Sequence, residues 1–172
     1  MLKLLGAALV LLAGTLFGFH QASQLARRPK QIADLIRLLQ RLESEILYGF
    51  TPLPEALRRT GGTCAAPVGT LFLEAAGELE RSTGQSAAGI WHKAVTRSWR
   101  ATSMKASERE VLLQLGHTLG LTDREDQVKH LRLAVSQLQG ESDTARDEQQ
   151  RYERMWKSLG VLMGALAVIL MY

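Results

Sequence analysis

The chain contains no asparagine, four prolines and one cysteine in 172 residues. Asn and Pro supply much of the chemistry of tight turns, so their scarcity argues against a protein of many short strands joined by hairpins. Cys64 stands alone, so neither an intramolecular disulfide nor a cysteine-based metal site can form. A lone thiol is compatible with a reducing, cytosolic setting. Ile and Val together number 13, against 30 Leu and 20 Ala. β-Branched side chains suit strands, whereas Leu and Ala suit helices. Composition therefore predicts an all-α protein. A large excess of one charge is also missing. The net charge is +4, and it is +3 between residues 20 and 157. A nucleic-acid binder concentrates positive charge more strongly, and no nucleic-acid partner is expected.

Catalytic patterns are absent too. The sequence holds no P-loop, no GxGxxG and no HExxH. His20, His92, His117 and His130 have no paired ligand spacing. Glu43 and Glu45 are two residues apart, so they project to different sides of a helix and make a poor acid–base pair. The acidic run near Asp123 reads as a helix start rather than a metal site. No catalytic, cofactor-binding or metal-ligating residue is nominated, and the chain reads as a non-enzyme.

What is present is unevenly distributed. Leu4 to Phe19 has 12 hydrophobic residues in 16, and Leu159 to Tyr172 has 12 in 14. The whole-chain figure of 46% hydrophobic falls to roughly 39% once both ends are removed, below the usual globular range. The first end is free of charge from Leu4 to Ala26, long enough to cross a bilayer core as a helix. The alternative, a cleaved signal peptide, lacks a clean Ala-x-Ala site. The second end, Ser158 to Tyr172, is short for a span. It suffices if Trp156 lies among the headgroups and Lys157 snorkels. Arg27, Arg28 and Lys30 flank the first span, and Arg151, Arg154 and Lys157 the second. The positive-inside rule then places the middle of the chain in the cytoplasm and both termini across the membrane. Arg27, Arg28, Lys30, Trp156 and Lys157 are expected at the membrane boundary, in contact with lipid headgroups. Gly14 and Gly18, and likewise Gly160 and Gly164, sit four residues apart, the spacing that lets helices approach closely in lipid.

The expected organisation is thus a transmembrane helix (1–26), a cytoplasmic helical bundle (27–139), a polar helical stalk (140–157) and a second transmembrane helix (158–172). Within the bundle, Ile32, Leu35, Ile36, Leu39, Leu42 and Ile46 recur at steps of three and four, predicting a helix from Pro29 to about Gly49, with Gly49 as a left-handed cap. Thr51-Pro52 predicts a capped start for a short helix to Arg59. Further helices are expected over 67–80 and 86–99. Another is expected from the capping box Ser107-Glu108-Arg109-Glu110 to Gly120, and a last one from Asp123 onward. Short loops predict antiparallel neighbours.

Three stretches then carry a resemblance. The first runs Arg28-Pro29-Lys30-Gln31-Ile32 and on through Leu42-Glu43-Ser44-Glu45-Ile46-Leu47-Tyr48-Gly49-Phe50-Thr51-Pro52-Leu53. The second is Leu115-Gly116-His117-Thr118-Leu119-Gly120-Leu121-Thr122-Asp123-Arg124. The third is Met155-Trp156-Lys157-Ser158-Leu159-Gly160. In this order and spacing the chain resembles the stage III sporulation protein AB family of endospore-forming bacteria over essentially its whole length. The resemblance implies a structural role in the channel complex joining mother cell and forespore, in the mother-cell membrane that faces the forespore. It also implies a likeness to the helical cytoplasmic domain of type II secretion and type IV pilus platform proteins. The implied partners are other channel components, a secretion-type ATPase among them, with membrane lipid and a homo-oligomer also in view. One such domain stands here where secretion platforms carry two. Tyr48, Gly49, Thr51 and Pro52 are the candidate partner contacts. The rival reading is a membrane-anchored adaptor that binds an enzyme or nucleic acid through Arg97, Arg100 and Lys105, beside Trp91 and Trp99.

Overall fold

The computed structural model describes residues 26–82, 84–120 and 123–171. Among these the secondary structure is helical throughout, with no strand. Helix α1 spans 26–47. It is followed by α2 (Leu53–Gly61), α3 (Val68–Arg81), α4 (Ala87–Ser98) with a one-turn 3-10 extension (Trp99–Ala101), α5 (Ala106–Gly116) and α6 (Arg124–Met171). Two compact units are distinguished: residues 28–143, and residues 1–27 together with 144–172.

The core of the 28–143 unit follows the helical stripes. Ile32, Leu35, Leu39, Leu42 and Ile46 of α1 are buried, with Leu71, Phe72 and Ala75 of α3 and Leu112 and Leu115 of α5. Val128, Leu131, Val135 and Leu138 of α6 complete it. Leu38, off the predicted α1 stripe, is also buried, while Ile36 is only half-buried. Trp91 of α4 is the largest buried side chain. Its indole N–H donates to the Leu112 carbonyl at 2.7 Å. Its ring meets Phe72 edge-on, 5.5 Å between centroids, the arrangement favoured by aromatic quadrupoles. Satisfying the only polar atom of Trp91 lets the whole ring enter the core.

Glycine 116 explains how α5 reaches this position. A Cβ there would lie 2.4 Å from Trp91 Cδ1, so only glycine lets the α5 backbone pass over the indole. The helix stops at that point, short of the expected Gly120. Residues 117–120 form turns instead, with the His117 and Thr118 N–H groups bonded to Gln114 and Leu115 carbonyls.

Two helix starts differ in detail from the sequence reading. Helix α5 begins at Ala106, and its cap position is Lys105, two residues before the expected Ser107 cap. Glu108 occupies the third helical position and accepts the Lys105 backbone N–H at 2.7 Å. The lysine side chain has no acceptor to reciprocate, so only the glutamate half of a capping box operates. Helix α2 begins after Pro52, whose position carries no side-chain cap bond. The Thr51 hydroxyl, expected as the cap, donates instead to Glu45 Oε2 at 3.3 Å. Helix α4 starts where the sequence reading put it, with the Ser86 hydroxyl as its cap, accepting from Gly89 N–H at 3.2 Å. Asp123 immediately precedes α6, and Glu125 and Asp126 occupy its first turn, where carboxylates oppose the positive end of the helix dipole.

Helix α6 passes through Gly140 and the polar 140–157 stretch as one helix to Met171. Among the described residues no helix is long and apolar enough to cross a membrane. The first expected span lies outside the described residues, and so do the side chains from 163 onward in the second.

Candidate functional site

Two arrangements stand out from the bundle: an aromatic turn at its surface and an ion-pair cluster inside it.

The turn joins α1 to α2. The N–H groups of Tyr48 and Gly49 continue the α1 ladder to the carbonyls of Ser44 and Glu45, at 3.0 and 3.1 Å. A Cβ on Gly49 would meet the Glu45 carbonyl at 2.7 Å and Thr51 Oγ1 at 2.8 Å. Gly49 was expected to take the left-handed conformation, but Phe50 takes it, at φ 50°. Gly49 is required for close approach rather than for handedness. The left-handed region costs a bulky residue on the order of 1–2 kcal/mol, and the surroundings hold Phe50 there. The Glu45 carboxylate accepts the Thr51 hydroxyl and lies 3.7 Å from the Arg59 guanidinium of α2. On the other side the Arg124 guanidinium, at the start of α6, lies 4.1 Å from the Phe50 ring centroid. The outcome is two large aromatic side chains held outward: Tyr48 is 78% exposed and Phe50 is 73% exposed. Pro52 is exposed and Thr51 half-buried beside them. Phe50 did not stand out in the sequence as a contact residue. Its signal was an aromatic placed inside a Gly-x-Thr-Pro turn, away from any helical stripe.

The ion-pair cluster ties three helices. Arg28 of α1 donates through Nε to Glu108 Oε1 of α5 at 2.8 Å. Its Nη2 reaches Glu141 Oε2 of α6 at 3.2 Å. The Ser107 hydroxyl also donates to Glu141, at 3.0 Å. The Glu108 side chain is fully buried and Arg28 nearly so, while Glu141 keeps 30% exposure. Arg28 was expected among lipid headgroups. Its guanidinium is spent on protein carboxylates instead, because α1 turns that side of Arg28 inward, on the same face as Ile32 and Leu35. Two neighbours behave differently: Arg27 and Lys30 are exposed. Trp156 is half-buried, and the Lys157 side chain lies outside what is described. Gly14 and Gly18 lie outside the described residues. Gly160 and Gly164 are on α6, but their surroundings are likewise not described.

The basic face of the rival reading changes in one respect. Trp91 is buried in the core and offers no ring to a ligand. Arg97 lies 3.7 Å from Glu78. Arg100 and Lys105 are exposed, but only half-buried Trp99 remains beside them for stacking.

An open groove of about 670 Å³ lies between α1 and the α2–α3 loop. Lys30, Arg37 and Arg41 line one side and Cys64 the other. Arg37 is paired with Asp34. Burial pushes the Cys64 thiol above its ordinary pKa, with the Asp34 charge adding to the rise, so it is a weak nucleophile at neutral pH. Among the described residues no three metal-binding side chains gather.

These features define an all-α bundle protein with an exposed aromatic turn between its first two helices and a buried ion-pair cluster. The sequence model of stage III sporulation protein AB matches residues 3–172. The stage III sporulation protein AB of Bacillus subtilis (strain 168) is 42% identical over 171 residues, covering 99% of both chains. A solved structure of stage III sporulation protein AB (SpoIIIAB) superposes with a TM-score of 0.68 at 40% identity, covering 73% of this chain and 98% of that one. The chain belongs to the stage III sporulation protein AB family.

Proposed function

We propose that this sporulation protein is a non-enzymatic, membrane-held scaffold of the channel complex between mother cell and forespore. In this reading the helical domain faces the mother-cell cytoplasm, the apolar ends are embedded in the mother-cell membrane, and partners dock on the domain as on a secretion platform. The observation that carries it is the α1–α2 turn. Tyr48 and Phe50 are exposed on a backbone fixed by Glu45, Thr51 and Arg59. Rigid aromatic side chains lose little conformational entropy on binding and are enriched among the residues that dominate interface energies. A secretion-type ATPase and other channel components are the partners this reading names.

The test is genetic. The chain is expressed in a Bacillus subtilis strain lacking its 42% identical relative. The reading expects restored spore formation with the native chain, and failure after engulfment when Tyr48 and Phe50 are both changed to Ser. Normal spore yield without any copy of the protein overturns it. Labelling of single cysteines placed at residues 2 and 172 tests the topology, since access only from the cytoplasm contradicts two spans.

A further inference from the structure

The open groove beside α1 concentrates positive charge on one wall. Lys30, Arg37 and Arg41 line it, against a single carboxylate, Asp34. Asp34 is paired with Arg37. Lys30 and Arg41 are exposed, and among the described residues neither has a carboxylate partner. Three cations less one carboxylate leave the wall at +2.

The cations stand in a row. Positions 30, 37 and 41 are seven and four residues apart, so at about 100° per residue they fall within roughly 40° of one another around α1. Along the axis they are about 10 and 6 Å apart. A second helix laid alongside has the same rise. Carboxylates at steps of seven and four on its facing side therefore meet all three cations, as charged flanks do between paired helices. The opposite wall, Thr63, Cys64 and Ala65 of the α2–α3 loop, makes the site concave. A groove of that kind suits a helix lying in it and keeps a flat membrane at the rim. No aromatic side chain lines it, so nucleic-acid bases have nothing to stack on.

Exposed ion pairs are individually weak, so a charged row sets orientation and partner choice more than affinity. The same stripe of α1 leads to an affinity contact. Ser44 and Tyr48 continue it from Arg41 at steps of three and four, ending at the exposed aromatic turn. In this respect the groove rests on the scaffold reading, whose contact surface it extends.

We propose that the groove takes an acidic helical segment of a protein partner, with carboxylates seven and four residues apart lying against Lys30, Arg37 and Arg41.

Cys64 is the one thiol of the chain and stands on the groove wall, so its labelling reports what enters. The experiment uses the full chain in detergent. The probe is an alanine-rich helical peptide with three glutamates at the seven-and-four spacing. It is made in two forms, with a maleimide on a flexible linker at one end or the other. One form should label Cys64 about tenfold faster than a peptide of the same composition whose glutamates are spread around its helix, the sum of three weak pairs. High salt should remove the advantage. Lys30→Gln with Arg41→Gln should abolish it. Neither residue is among the charges that shift the Cys64 thiol, so a small neutral maleimide should react at an unchanged rate. If the double variant alters that rate, Arg41→Gln alone carries the test. Arg81→Gln with Lys129→Gln, exposed cations elsewhere, should change nothing. No advantage for the spaced peptide, or an equal loss in the control variant, overturns the proposal. So does protection of Cys64 by phosphatidylglycerol micelles or a thymidine oligonucleotide but not by unlabelled acidic peptide. In the complementation strain Lys30→Gln with Arg41→Gln should lower spore yield, and a normal yield also overturns it. Tyr48→Ser with Phe50→Ser should leave the labelling advantage intact, so failure of the groove and failure of the scaffold reading are told apart.

Discussion

Arg28 shows how one side chain can change meaning between sequence and fold. Beside an apolar run, an arginine marks the membrane boundary. In the folded chain its guanidinium bridges Glu108 and Glu141. Burying such a pair is close to neutral against apolar replacement, but removing one partner strands the other charge. Arg28→Met should therefore cost about 3–5 kcal/mol. Arg28→Met with Glu108→Gln should cost less, because the fully buried carboxylate is gone, the Glu141 carboxylate that remains is partly exposed to water, and Gln can still accept the Lys105 N–H. Denaturant melts of the two variants check the order, and equal losses contradict it. Gly116 makes a sharper steric case. Gly116→Ala places a Cβ against Trp91 and should destabilise by about 1–3 kcal/mol. The loss should shrink in a Trp91→Leu background, because the two sites share one contact. Cys64 supplies a chemical prediction. Its raised pKa favours the neutral thiol in the folded state. Maleimide labelling at pH 7 should thus be slower than for a free thiol and should keep rising above the pH where an ordinary thiol levels off. For a group of this kind the folded state loses relative stability as pH climbs past the ordinary thiol value.

At the scale of elements, the α1–α2 turn carries the partner argument. Phe50 sits in the left-handed region, and Arg124 covers its ring. Phe50→Gly relieves the backbone by about 1 kcal/mol and forfeits an exposed cation–π contact of similar size. Thermal stability should hardly move, whereas a lost aromatic anchor of about 2 kcal/mol weakens partner affinity roughly thirtyfold. Spore yield should fall while the melting curve stays put. A fall in both would assign Phe50 to folding instead. Helix α5 shows the same interplay of local signal and context. Ser-Glu-Arg-Glu reads as a capping box opening at Ser107, yet the helix starts at Ala106 and the cap acceptor is Glu108. Glu108 can serve because the same carboxylate also holds Arg28, and no local pattern signals a partner eighty residues away.

Across the whole molecule, the helical order and most of the core could be read directly from the sequence. Six helices were expected for the bundle, and six are found among the described residues. Their apolar stripes are the ones buried, because burial of a periodic face is what stabilises a helix in a bundle. The family was legible for a related reason. Tyr48-Gly49-Phe50-Thr51-Pro52 and Leu115-Gly116-His117 are places where the backbone has little freedom, so their residues are tightly specified. The bends between helices were less legible. Which carbonyl a threonine or a glutamate side chain reaches depends on the neighbour that folding brings up.

By itself, the sequence determined the all-α class, the helix order, the uneven hydrophobicity and the family, since these follow from residue type and spacing along one chain. Tertiary structure alone decided that Arg28 faces two carboxylates, that the Trp91 indole N–H reaches the Leu112 carbonyl, and that Phe50 is held outward in a strained turn. Each of those depends on contacts between residues distant in sequence, whose energies come from burial and charge pairing that exist only once the helices are packed together.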